Sequence, residues 1–309
     1  MLTPEQTHLL GWFREHAASQ RAAGFPGRAL RVVTGALGLA RRHLSRDASA
    51  EERLILFSLL ADAGRLLLEC GHAHQAEPDL RLALDLAADE TLAVPPAAWA
   101  DLRQYLGAAL DAQGREEEAA EQFVLALDLL ETLDPPPLAS IAGVANNLGM
   151  IRRGQGRFEE AAALYRRAQE IYEAMGPPHA LDLATICNNQ GSLFWAWSQP
   201  DLARDFHLVA LKLRRDALPR THPDIAQSAS NLAAVYHDTG DFDRAGRNYL
   251  RALEILAHHL PEQQETYEIV AQNYADLLEQ SGRAGRADRL RHRTRQKLLK
   301  ARERAADRL

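Results

Sequence analysis

Four asparagines, Asn147, Asn189, Asn231 and Asn273, stand 42 residues apart. Around each the chain repeats itself: NNLGMIRRGQGRFEEA, NNQGSLFWAWSQPDLA, SNLAAVYHDTGDFDRA and QNYADLLEQSGRAGRA. A fixed period of this length marks an array in which each unit buries its apolar face only against its neighbours. Such arrays offer an extended surface for gripping another chain, so function is to be sought on a surface before it is sought in a catalytic pocket.

Each unit reads as two helices joined by a tight turn. In 138–175, Ile141, Val144, Ala145, Leu148 and Ile151 recur at helical spacing, Gly154 to Gly156 interrupts, and Phe158, Ala161, Ala162, Leu164, Tyr165, Ala168 and Ile171 resume. The turn position recurs as Gly24, Gly71, Gly114, Gly156, Ser198, Gly240 and Gly282. A small residue follows five positions later, as Ala29, Ala76, Ala119, Ala161, Ala203, Ala245 and Ala287. Proline-rich segments (AVPPAA, DPPPLA, GPPHAL, RTHPDIA) separate the pairs and can end one helix and start the next. No period-two strand pattern competes. The expected fold is all-α, a solenoid of about seven antiparallel helix pairs.

The units SASNLAAVYHDTGDFDRAGRNYLRALEIL (228–256) and NNLGMIRRGQGRFEEAAALYRRAQEIY (146–172) resemble the tetratricopeptide repeat. The 42-residue length and the inter-repeat THPDIA are similar to the repeats of kinesin light chains and their bacterial relatives. The resemblance is close over about 97–282 and weaker over 1–96, where two divergent pairs are expected. The resemblance implies that the whole of 1–309 is one right-handed α-solenoid. Its last pair continues to about 300, and 283–309 form a basic terminal helix within that pair. The fifth pair departs from the pattern, with Ser198-Gln199-Pro200 where glycine and an aromatic are usual.

The resemblance implies that the first helix of each pair lines a concave groove, with Asn147, Asn189, Asn231 and Asn273 facing it. An asparagine both donates and accepts, so a row of them can clamp the backbone of an extended peptide; alternatively, some brace one helix against the next. Neighbouring inner positions are Asn146, Met150 and Arg153, then Thr185, Asn188, Ser192 and Trp195, then Gln227, Ser230, His237 and Asp238, then Gln272, Asp276 and Glu279. Asp101, Gln104 and Asp111 precede them, and Arg14, Arg21 and Arg65 add basic groups toward the N-terminal end. Trp195 is either an aromatic anchor for a ligand or, with Phe194 and Trp197, part of the packed body. No lysine falls on the inner face where chaperone-tail binders of this family carry one, which argues against that ligand.

The expected function is therefore a non-enzymatic scaffold or adaptor for a protein or peptide. Two alternatives stand beside it: a peptide sensor acting through a separate effector, and a self-assembling repeat protein using Leu2, Leu9, Leu10, Trp12 and Phe13. The twelve histidines form no HExxH pattern, no phosphate loop follows a strand, and no serine elbow is present. Neither a cofactor nor a metal is implied. Cys70 and Cys187 read as buried free thiols. No stretch approaches the roughly 20 apolar residues of a membrane span, and no signal peptide is evident, so a cytoplasmic location is expected.

Charge is uneven: residues 283–309 carry eleven Arg or Lys against three acids, within a net charge of -6. Three roles are open for this stretch: a soluble cap on the array, a dock for an acidic surface, or weak non-specific contact with nucleic-acid phosphates. Its interspersed acids and lack of aromatics speak against a dedicated nucleic-acid module.

Overall fold

The computed structural model describes residues 3–43, 48–260 and 262–306. These hold fourteen α-helices and no strand: α1 (Pro4–Ala22), α2 (Pro26–His43), α3 (Ala50–Glu69), α4 (Ala73–Ala87), α5 (Pro96–Asp111), α6 (Glu116–Glu131), α7 (Leu138–Gly154), α8 (Phe158–Met175), α9 (Ala180–Ala196), α10 (Pro200–Ala217), α11 (Pro223–Asp238), α12 (Phe242–Leu256), α13 (Gln264–Gln280) and α14 (Ala284–Ala306). The fold is an all-α solenoid. Its helices gather into two compact units, Met1–Ile151 and Arg152–Leu309.

In the first unit α1 packs on α2, α3 on α4 and α5 on α6, with α2 touching α3 and α4 touching α5. In the second, α9, α11 and α13 pack on α10, α12 and α14, and α8 packs on α9. The first helices of successive pairs also meet, α9 with α11 and α11 with α13. These contacts join near neighbours in the chain.

One turn is used seven times. Gly24, Gly71, Gly114, Gly156, Ser198, Gly240 and Gly282 all have φ between 58° and 83°. At each, the next residue's N–H reaches back five positions, as in Arg157 to the Arg152 carbonyl at 2.8 Å and Gln199 to the Phe194 carbonyl at 2.8 Å. This bond closes the first helix and reverses the chain in a Schellman-type cap, which needs the left-handed conformation that glycine adopts without strain. Ser198 alone holds it with a side chain. Ala29, Ala76, Ala119, Ala161, Ala203, Ala245 and Ala287 are fully buried, as their spacing implies.

In three of the pairs the helices approach closely because a glycine faces a bulky side chain sixteen positions on. A methyl group on Gly64 would lie 2.4 Å from Leu80, one on Gly107 3.0 Å from Phe123, and one on Gly191 2.6 Å from the ring of His207. In the same repeat position as Leu80, Phe123 and His207 stand Tyr165 and Tyr249, both buried. Cys187 is buried, whereas Cys70, expected inside, is half-buried because it caps α3 beside the Gly71 turn.

Of the expected apolar end surface, Leu2 lies outside the described residues. Leu10 is buried, Phe13 is half-buried, and Leu9 and Trp12 are exposed. Phe25, immediately before α2, is exposed as well, with the Arg28 guanidinium 4.5 Å above its ring.

Two substitutions separate these constraints. Gly191→Ala should lower stability by about 1–3 kcal/mol, because the imidazole is buried and has nowhere to retreat. Ser198→Gly should raise it by up to about 1 kcal/mol by relieving the left-handed serine. Urea unfolding midpoints of the two variants against the parent chain check both signs.

Candidate functional site

The second unit presents the most continuous run of expected site residues. Asn189, Asn231 and Asn273 occupy the same position on α9, α11 and α13 and are half-buried. Their partners differ. Asn231 Nδ2 donates to Asn188 Oδ1 at 3.0 Å, tying α11 to α9. Asn273 has no side-chain hydrogen bond among the described residues. In the first unit Asn146 and Asn147 lie on α7, with Asn146 Nδ2 3.3 Å from Asn147 Oδ1 and 3.9 Å from Met150 Sδ. Arg153, near the end of α7, is half-buried.

Asn188 and His237 are not where the repeat register puts them. Asn188 is buried and acts as the receiving half of the inter-repeat brace. His237 turns into its own hairpin, edge-on to Phe242 at 6.0 Å and to Tyr249 at 6.3 Å, with Nε2 buried and unpartnered among the described residues. Each is one of two adjacent polar residues at a helix face boundary, and a repeat spacing alone does not say which of the two turns outward.

Trp195 is 46% exposed. Its Nε1–H donates to Asp238 Oδ2 at 2.8 Å, from α9 across to α11. Trp197 and Phe194 divide off as packing residues. Their rings stack at 6.0 Å, Trp197 also meets Phe158 at 5.9 Å, and Phe194 meets Phe206 at 5.4 Å.

The basic groups expected toward the N-terminal end, and the acids of the last pair, are engaged within their own units. Arg14 and Arg65 both pair with Asp62, at 3.0 and 3.2 Å, and Arg21 pairs with Glu69 at 2.7 Å. At the other end Asp276 accepts from Gln272 at 2.7 Å and meets Arg291 at 3.5 Å, while Arg291 pairs with Glu279 at 2.5 Å. That hydrogen bond from Arg291 holds the Glu279 carboxyl below its usual range.

Arg291 is the residue that the sequence reading missed. It stands 42 residues after Tyr249, in the position that holds a large side chain in the preceding five pairs. There it reaches from the basic α14 onto inner-face acids. Part of the terminal helix's charge is thereby spent within its own pair.

Behind α9, His207 fills the space over Gly191 as a fully buried imidazole with Nδ1 unpartnered among the described residues. Burial, with a smaller contribution from Arg214, lowers its pKa from 6.5 to about 4. Burial likewise pushes the Cys187 thiol up to about 11, so it is an unreactive thiol at neutral pH.

Among the described residues no cluster of three or more His, Cys, Asp or Glu could hold a metal ion. None of the described helices is long and apolar enough to cross a membrane. The surface built by α9, α11 and α13 carries amides, one exposed indole and carboxylates, a set suited to hydrogen bonding and stacking. An α-solenoid of helical hairpins bearing such a surface belongs to the class of protein-interaction scaffolds.

Comparison with known proteins makes the class specific. Tetratricopeptide repeat profiles match residues 140–216 and 225–263. The structure of BtubC (BKLC) from P. vanneervenii is 26% identical over 76% of this chain and 92% of its own, with a TM-score of 0.62. Kinesin light chain repeats from Podosopora anserina are 18% identical, covering 68% of this chain and 98% of their own, with a TM-score of 0.54. The apo form of RapI is 12% identical and shares the fold over 96% of this chain and 99% of its own, with a TM-score of 0.66. None of the curated proteins matches the sequence. Residues 140–216 and 225–263 are thus tetratricopeptide repeats, and the chain is similar to proteins of the kinesin-light-chain-like repeat class.

His207 makes one outcome measurable. Its folded value lies below the unfolded one, so the stability it permits is complete above about pH 6.5 and is lost as pH falls toward 4. The loss amounts to at most about 3 kcal/mol. Between pH 7 and 4 the chain should lose that much relative to a His207→Phe variant, as read from denaturant unfolding at each pH. A constant difference between the two would contradict a neutral buried ring.

Proposed function

We propose that this scaffold is a non-catalytic adaptor that holds an extended segment of a partner protein against the first helices of its second unit. The observation that carries the reading is the row Asn189, Asn231 and Asn273, half-exposed at one repeat position on three successive helices, with the Asn273 amide unused internally. Neighbouring packed helices lie about 8–10 Å apart. An extended chain advances about 3.3 Å per residue, so successive asparagines would meet every third peptide unit of the ligand. Such a grip reads backbone and leaves selectivity to flanking groups.

Those flanking groups are Arg153, Trp195 and Asp238, with Asn146 and Asn147 offering a similar amide pair in the first unit. Asp276 contributes less than its position implies, because Gln272 and Arg291 already engage it. Asn188 and His237 support the surface from within. The reading leaves self-association through Leu9 and Trp12 as a separate surface, and it gives α14 no nucleic-acid role.

The variant that tests the reading is Asn273→Ala. Asn231→Ala would strip the Asn188 oxygen of its donor, at a cost of about 1–3 kcal/mol, and confuse binding with stability. In quantitative affinity capture from the cells of origin, Asn273→Ala should retain at most about one tenth of the partner held by the parent chain, with an unchanged unfolding midpoint. Equal recovery by the two proteins would remove the asparagine row as a binding element.

A further inference from the structure

Trp195 and Asp238 form a pair whose chemistry goes beyond a backbone grip. The indole is large, apolar and 46% exposed, and yet it is held by one edge through its bond to Asp238 Oδ2. A tryptophan fixed in this way keeps a ring face available without the entropic cost of ordering a loose side chain on binding. Asp238 is exposed as well. The indole N–H uses one oxygen of its carboxylate and leaves Oδ1, together with the second lone pair of Oδ2, able to accept.

Asp238 is also uncompensated. No Arg, Lys or His nitrogen among the described residues lies within the 4.0 Å of an ion pair. The other two acids of this surface, Asp276 and Glu279, share Arg291. The charges of Asp238 and Asp276 add to burial in pushing the Tyr249 hydroxyl up, so the negative potential extends beneath α11. An exposed indole alone would suit any apolar side chain, and an exposed carboxylate alone would be left to solvent. Side by side, with no cation supplied from within, they match one ligand group. The π face and the carboxylate both attract a positive charge.

We infer that Trp195 and Asp238 form the subsite for an arginine side chain of the partner's extended segment. Arginine fits better than lysine because its planar guanidinium can lie flat on the indole while its edge N–H groups bond the carboxylate. The inference rests on the peptide-binding reading of the same surface and names the ligand chemistry that the asparagine row does not select. A basic segment of a second copy, such as 283–309, is the competing occupant.

The test uses the full-length chain labelled with nitrogen-15. The indole N–H signals of its four tryptophans are counted, and that of Trp195 is identified by its loss in Trp195→Phe. The probes are the acetylated, amidated peptide Ala-Ala-Arg-Ala-Ala and its citrulline twin, which keeps the shape and loses the charge. The arginine peptide should move the Trp195 signal saturably. The citrulline twin should bind at least about tenfold more weakly, and Asp238→Asn should weaken arginine binding by a similar factor while its amide oxygen still accepts the indole N–H. Equal binding of the two peptides, or no effect of Asp238→Asn, would overturn the inference.

The side-chain amide signal of Asn273, followed in the same titrations, separates the two readings. If both peptides move Asn273 alike and leave Trp195 still, the asparagine reading survives and the arginine subsite falls. If the arginine peptide moves Trp195 alone, the subsite stands without the asparagine row. A Trp195 signal that shifts on dilution without peptide would place a second copy there and overturn the assignment to a partner.

Discussion

The contact between a first-helix glycine and the large side chain sixteen residues later sets the geometry of this protein. Gly64 against Leu80, Gly107 against Phe123 and Gly191 against His207 leave no room for even a methyl group. Close approach on that side fixes the helices of a pair in one register. The left-handed turn and the buried alanine five residues after it fix the same pair from its closed end. Because the turn and the buried alanine recur in all seven pairs, corresponding residues of successive first helices come into line. The row of asparagines on α9, α11 and α13 is a consequence of that repetition.

Repetition also explains what was legible in the sequence. Turn positions, the buried alanines and the helix pairs follow from spacing alone, since each is a backbone requirement met by one or two residue types. The large side chain of the second helix is equally periodic, and Arg291 could have been recognised as the exception in that series. Which of two adjacent polar residues faces outward is different. Asn188 and Asn189, or His237 and Asp238, differ by about 100° around a helix, and small rotations decide which is buried. Asn188 and His237 turned inward for that reason. The cancellation of charge by pairs such as Arg14 with Asp62 was hidden too, because the partners lie 48 residues apart and meet only when the pairs stack.

The residues that break the pattern are the informative ones. His207 puts a titratable ring where neighbouring repeats use leucine, phenylalanine or tyrosine, and so ties the stability of the fifth pair to pH. Trp195 stands at the position of Arg153, His237 and Glu279 in other pairs, and it emerges to the surface where His237 packs inward. Asp238, one residue past that register, is left to hold it. A deviation in one repeat is matched by a deviation in the next, which concentrates distinct chemistry at one place on an otherwise regular array.

The central claim is that a partner lies on the first-helix surface of the second unit. Site-specific photo-crosslinking tests it most directly, with benzoylphenylalanine placed at Gln272 on α13 or at Leu250 on α12, both exposed positions. The account predicts a discrete adduct in native extract from position 272 and none from position 250. Adducts from position 250 alone would place the partner on the second helices and contradict it.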